Sequence, residues 1–463
     1  MADATFQAVI SRGVGLGALA LGAVLALPGS ARSEEPAKAP VTFTKDVAPI
    51  LQERCQACHR PGYIAPMSLL TYEEARPWAR SMKARVLARQ MPPWHIDKTV
   101  GIQEFENDRS LTDEQIDTIV RWVDAGAPKG DPKDMPPPKR FANDDVWGFA
   151  DRFGPPDLIF KSPPYKVPAA AQDAWYKPVV EVGLTEPRWV RAIEMRPSTV
   201  AGRKVTHHAL ARLTQDEPGS REVRVSAAPG PDDATVGPGL FMEWAVGKQG
   251  EIMRPNSGKL LLPGAKFVFD IHYHSVGEDI TDSVELGIYL YPKGQEPKYR
   301  QVLAAYYSTA GGSDNIDIPP NATWMSQNFH VLKQAGRIEN FQPHMHLRGK
   351  AMSLEAILPN GKTEILSHVN NFNFNWHVNY VYADAAAPLL PKGTVLKVTA
   401  WYDNTSANPS NPDPNQWVGH GDRTVDEMGH AWINITYMSD EDYAAEVERK
   451  KAQRTTTTTS QQQ

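Results

Sequence analysis

Two kinds of hydrophobic spacing divide the chain. Near its start Val47, Ile50 and Leu51 recur at helical intervals, and farther on Ile116, Ile119, Val120 and Val123 share one helical face. Thr112 and Gln115 are placed as a capping box ahead of that second helix, and Gly126 and Pro128 end it. Beyond about residue 146 the pattern changes to alternation. Phe267, Phe269, Ile271 and Tyr273 fall on one side of a predicted strand, with Val268, Asp270, His272 and His274 on the other, because successive strand side chains point to opposite faces. Near the end, Ile433, Ile435 and Tyr437 make the buried face of another strand, whose polar side carries Met428, His430, Trp432 and Asn434. Many of the 39 prolines and 33 glycines separate such segments as turns do in antiparallel sheets, and Asn360-Gly361 is a hairpin signal. The expected architecture is mainly β with a small all-α domain over residues 41–135.

The ends of the chain read differently. A short start ending in Arg12, an apolar run from Val14 to Leu27 and the small residues Gly29, Ser30 and Ala31 make residues 1–33 a predicted signal peptide. The run is shorter than the ~20 apolar residues a membrane crossing takes, so the mature chain is expected to be periplasmic or secreted, without a transmembrane segment. Residues 443–463, ending in a threonine and glutamine run, are predicted to be a disordered polar tail. A proline-rich stretch over 128–145 is predicted to be a stiff linker. With 49 basic against 54 acidic residues and a net charge of -5, the chain lacks the concentrated positive charge that nucleic-acid binding requires.

Only two cysteines occur, and both lie in Cys55-Gln56-Ala57-Cys58-His59. C-x-x-C-H is the attachment signature of c-type haem, in which two thiols bond the macrocycle and the imidazole of the next residue ligates iron. A zinc site would need further cysteines. Helix, motif and closing helix follow the order of small cytochromes c, which residues 41–135 resemble. Three residues compete for the sixth position on the iron: Met91, in Gln90-Met91-Pro92-Pro93, is preferred over Met67 and His95.

Eleven histidines follow His95, and seven are clustered or singled out by pattern: His207-His208, His272 with His274, His344 with His346, and His430. Two histidines spaced by one leave the same strand face, so His344 and His346 can chelate one ion. His207 and His208 are adjacent and would point apart in a regular strand. If both bind one metal, the strand must bulge or end there. Imidazole with thioether, and no thiolate or carboxylate cluster, suits copper better than zinc, which remains the alternative.

The motifs Val205-Thr206-His207-His208-Ala209, Phe269-Asp270-Ile271-His272-Tyr273, His344-Met345-His346-Leu347-Arg348-Gly349-Lys350 and Thr424-Val425-Asp426-Glu427-Met428 occur in the order of those in copper type II, ascorbate-dependent monooxygenases. The resemblance covers about residues 150 to 440. It implies two jelly-roll β-sandwich subdomains, here 146–315 and 316–442, each offering one copper across a solvent-filled cleft. It further implies that His207, His208 and His272 hold the electron-supplying copper, and that His344, His346 and Met428 hold the oxygen-binding, catalytic one. The activity implied is hydroxylation of an aliphatic or benzylic C-H of a small molecule with O2, using two copper ions, to which C-x-x-C-H adds one covalently bound haem c. Electrons would come from an external donor, an ascorbate-like reductant or redox protein, and pass through the haem to the three-histidine site. A non-catalytic electron-transfer or copper-handling protein is the alternative. The peptide-processing members carry an arginine for gripping a substrate carboxylate where this chain has Gln342, so a peptide substrate is not expected. His430 and Trp432 are expected to line the cleft, and His274 to lie outside the ligand set.

Overall fold

The computed structural model describes residues 40–63, 65–141, 146–216, 239–245, 248, 250–312 and 315–461, with side chains to residue 452. The predicted signal peptide lies outside the described residues. Several helices lie in the first part. Ala48–Arg54, Ala79–Leu87 and Asp113–Asp124 pack around Phe43, Val47, Leu51, Met82 and Trp122. The capping box forms: Gln115 N donates to Thr112 Oγ1 at 3.2 Å, and Thr112 N donates to Gln115 Oε1 at 3.0 Å. Two otherwise orphaned N–H groups are satisfied in that way.

The chain between those helices does something periodicity did not indicate. Trp94, Ile96 and Phe105 leave the helices and bury themselves in the core of the C-terminal β region. Ile96 bridges Val369 and Phe105 bridges Tyr382, while the Trp94 ring meets Tyr380 edge-on at 4.7 Å. The proline-rich stretch is likewise docked over part of its length, since Pro128 O accepts from Phe43 N at 3.0 Å and Pro137 O accepts from Gln52 Nε2 at 3.1 Å.

From residue 158 the described chain is mainly β, in several sheets. A five-stranded sheet contains Ala174–Tyr176, Lys266–Tyr273, Thr206–Thr214 and Gly239–Ala245, with Val179–Glu181 at its side. A four-stranded sheet contains Thr323–Val331, Val395–Asp403, Gly349–Ile357 and Thr363–Val369. Each contributes to its own apolar core together with part of an eleven-stranded sheet. Phe267, Phe269, Ile271 and Tyr273 are buried in the first core, on the face that alternation predicts.

The large sheet is continuous across both halves. Tyr299–Tyr307 pairs in parallel with Ser257–Leu261 on one side, and antiparallel with Gly429–Met438 on the other. Gly429–Met438 is therefore buried over nearly its whole length. Its polar side is covered: Trp432 packs with Leu210 and Leu303, and Asn434 Nδ2 donates to Glu251 Oε1 at 3.1 Å.

The tail corrects an expectation. Asp440–Gln461 is a helix rather than a disordered segment. Asp440, Glu441 and Asp442 place negative charge in its first turn, where the helix dipole favours it. Ser439 Oγ accepts from Asp442 N at 3.1 Å, and Lys450 Nζ donates to Ala387 O at 2.6 Å, which ties the helix to the body. Among the described residues, no helix is long and apolar enough to cross a membrane.

Candidate metal centre

His207 and His208 converge because the strand bulges. Thr206–Thr214 pairs with Lys266–Tyr273 so that His272 lies opposite His208 but Tyr273 lies opposite Thr206, leaving His207 as the extra residue. Both rings turn towards His272, with centroids 5.2 Å (His207) and 4.9 Å (His208) from it. One ring nitrogen from each of the three lies within 4.8 Å of the others. His272 Nε2 and Asp173 Oδ2 are 2.8 Å apart, which leaves His272 Nδ1 buried and, among the described residues, without a partner. That orphaned nitrogen fits an ion held by the cluster, with Asp173 fixing the ring's tautomer. Asp173 also accepts from His274 Nδ1 at 2.7 Å, and the His274 side chain is 63% exposed. Burial, with His272 beside it, holds His207 down to about 4, and His208 lies well below its ordinary value for the same reasons. Burial lowers His272 too, against the pull of the Asp173 hydrogen bond. Neutral imidazole is the form that ligates.

The second pair sits deeper. His344 lies on Asn340–Met345, opposite His430 on the neighbouring strand, with Gln342 opposite Trp432. The His344 ring is packed against His430 at 4.7 Å and Trp432 at 4.6 Å. His346 lies just past the strand, 5.4 Å from His344 between centroids, and its Nδ1 is 3.1 Å from Asp426 O. Tyr402 Oη donates to the Met428 carbonyl at 3.1 Å. Glu427 bolts this corner together by accepting from His346 N at 2.9 Å and Arg348 N at 2.6 Å. Burial pushes Glu427 up to about 7, and those hydrogen bonds restrain the rise.

The two sets are not separated by an open cleft. The His208 and His344 centroids are 6.2 Å apart. A histidine that the sequence did not single out lies between them: His377 Nδ1 is 3.2 Å from His344 Nδ1, and its ring is 6.2 Å from His207 and 6.5 Å from His208. Phe374 stacks on His207 at 5.2 Å and meets His346 at 5.7 Å. The sequence singles out neither Asp173 nor His377, and Glu427 only as part of the motif that ends at Met428. The only sequence signal for His377 was its place in an aromatic and asparagine-rich loop, Asn371 to His377. Gln342 is fully buried. Its Nε2 donates to His377 O at 3.1 Å, and its Oε1 accepts from Lys248 Nζ at 3.4 Å. Lys248 also binds Glu243 and, at 2.8 Å, Glu251.

Beside this cluster lies a cavity of about 590 Å³, whose lining includes Cys55, Cys58, His59 and Met91 on one side and Trp376 and His377 on another. Burial, with Cys58 nearby, pushes the Cys55 thiol up to about 12, so it is a neutral thiol here. His59 Nδ1 is 3.3 Å from Met67 O, an orientation that leaves Nε2 for a ligated iron. The paired thiols, the oriented imidazole and the room in front of them fit a covalently held haem. Of the three candidates for the sixth position, Met91 lines the cavity. Met67 packs in the helical core, and His95 is buried with its backbone N donating to Tyr380 Oη at 3.0 Å.

No protein-family model matches the chain, and no curated protein matches it significantly. Similar solved structures include infectious bursal disease virus Gx strain, at 10% identity and TM-score 0.16 over 61% of this chain and 74% of that one. The Gt strain of the same virus is similar at 11% identity and TM-score 0.15, over 61% and 73%. A T13 particle of the virus is similar at 11% and 0.16, over 63% and 81%. Likeness that slight says nothing about fold or activity.

Proposed function

We propose that the chain is an exported copper-dependent monooxygenase that hydroxylates an aliphatic or benzylic C-H of a small molecule with O2, drawing electrons through a c-type haem in the same chain. In this reading residues 41–135 are an all-α cytochrome c domain, and residues 146–315 and 316–442 are two jelly-roll subdomains. His207, His208 and His272 hold one copper, and His344, His346 and Met428 hold the other. Cys55, Cys58, His59 and Met91 hold the haem. The observation that carries the reading is the buried cluster of neutral imidazoles from both motif pairs, directly beside the cavity that C-x-x-C-H lines.

Copper supplies one-electron chemistry with O2, and haem supplies single electrons. The protein's part is to orient and enclose. Asp173 engages one nitrogen of His272 and leaves the other without a partner among the described residues, and the Asp426 carbonyl meets His346 Nδ1. Phe374 and Trp432 pack around the rings and exclude water. A non-catalytic electron-transfer or copper-handling role draws on one observation, the close packing of His208, His344 and His377 where the family resemblance implies an open cleft. Purified protein should contain two coppers and one acid-acetone-resistant haem per chain, and should form product only with O2. Met428→Ala should abolish product while keeping copper at the three-histidine site. Metal-loaded protein that consumes no O2 with any C-H donor would favour the alternative.

A further inference from the structure

The loop that carries His377 has two sides. Trp376, His377, Val378 and Asn379 are part of the wall of the cavity in front of Cys55, Cys58 and His59. On its other side the His377 ring enters the imidazole cluster, and it is closest there to His344, at 4.6 Å between centroids and 3.2 Å between Nδ1 atoms. The rings of His207 and His208 are more distant, at 6.2 and 6.5 Å. His377 is buried and its Nε2 has no hydrogen-bond partner among the described residues, although an unpaired polar atom inside a protein is costly. The loop is also pinned from both sides. Gln342 Nε2 holds the His377 carbonyl, Asn107 Nδ2 donates to Asn379 O at 2.6 Å, and Asn107 itself lines the cavity. One residue thus touches both the room for the haem and the ring of a predicted copper ligand.

We propose that His377 is the positioning residue through which electrons pass from the haem side to the metal held at His344. The copper at His344, rather than the one at His207, His208 and His272, is then the first to be reduced. This rests on the function proposed above. Each passage is one electron: haem iron goes from Fe(II) to Fe(III), one copper goes from Cu(II) to Cu(I), no bond is made or broken, and an external one-electron donor restores the haem. His377 contributes a packed, fixed contact on the way. Gln342 contributes by holding that contact in place, which accounts for its buried amide.

The test uses the full-length protein with haem and copper contents measured first. Both coppers are oxidised anaerobically, one electron per chain is introduced at the haem, and haem reoxidation is followed by stopped-flow absorbance. Frozen samples report by EPR which Cu(II) signal disappears first, the two signals being assigned with His207→Ala and His344→Ala. The signal lost in His344→Ala should vanish first. His377→Phe, with haem spectrum and copper content unchanged, should slow reoxidation roughly tenfold or more, equivalent to about 1.4 kcal/mol in barrier. Prior reduction of the three-histidine copper, or a wild-type rate in His377→Phe, would overturn the route while leaving the proposed function standing. A chain that binds neither haem nor copper would overturn both. The EPR order is read on the unmutated chain, so it decides the matter even where His377→Phe fails to fold.

Discussion

The two histidine sets reach the same cluster by different means. His207, His208 and His272 are arranged by backbone, through one bulge, and by a carboxylate that takes up the outer nitrogen of His272. Their ligand atoms already lie within 4.8 Å of one another. His344 and His346 are instead set in a crowd: His344 is pressed by His377, His430 and Trp432, and the Met428 carbonyl accepts from Tyr402 Oη. The first set is preorganised for an ion. Ring nitrogens meet in both sets, His207 Nδ1 with His208 Nδ1 at 3.1 Å and His344 Nδ1 with His377 Nδ1 at 3.2 Å, but among the described residues only the first set brings three ligand atoms within 4.8 Å of one another, so side chains must move before an ion is fully ligated in the second. Preorganised sites bind more tightly because less ordering remains to be done. The three-histidine set should therefore fill first as copper is added.

The largest expected effect comes from removing a ligand of the preorganised set. His272→Ala should reduce bound copper from two to one per chain by mass spectrometry and leave the ion at His344, whereas His344→Ala should do the reverse; loss of both ions from either variant would break the distinction. A smaller effect is expected when only the orienting group goes. Asp173→Asn keeps all three imidazoles but should weaken copper at that set by about 10–100-fold, the usual cost of losing such a partner, read by competition with a chelator. An unchanged affinity would mean that packing under Trp175, which stacks on His272 at 4.6 Å, orients the ring by itself. The smallest effect is expected at His274, which shares Asp173 but is exposed. His274→Ala should shift unfolding free energy by no more than about 0.5 kcal/mol, as surface changes do, with both coppers retained. A lost copper there would bring His274 into the ligand set.

Much of this was legible locally. The capping box of Thr112 and Gln115 and the buried alternation from Phe267 to Tyr273 depend on neighbours in sequence, and both formed as the pattern required. The adjacency of His207 and His208 also demanded the bulge that the strand adopts. What escaped was non-local. Trp94 and Phe105 are apolar residues that any core could accept, and spacing does not say which one will. Asp173 lies 99 residues from the histidine it orients, and His377 lies 33 from the one it meets. A lone histidine in a loop carries no periodic signal. The continuity of the large sheet depends on pairing between Tyr299–Tyr307 and Gly429–Met438, over a hundred residues apart in the chain. The helical tail has a polar composition without apolar periodicity, and what marks it is the acidic first turn and the anchoring Lys450.

The excursion of Trp94, Ile96 and Phe105 bears on how such a chain could be taken apart. Between two of its own helices, the N-terminal part lends a wedge to the β region: Asp97 N donates to His368 O at 2.7 Å, Glu106 N to Val381 O at 2.9 Å, and Asn370 Nδ2 to Asp97 Oδ2 at 2.7 Å. A gene cut in the proline-rich stretch after residue 128 would not release two intact modules. The downstream fragment would be left with an apolar trench where Trp94 and Phe105 had been, and the upstream fragment with a bare greasy loop. Swapping in another electron carrier at that seam would transplant the helices and forfeit a piece of the recipient's own interior. The joint is a mortise rather than a hinge, and shuffling by recombination would have to carry the tenon along.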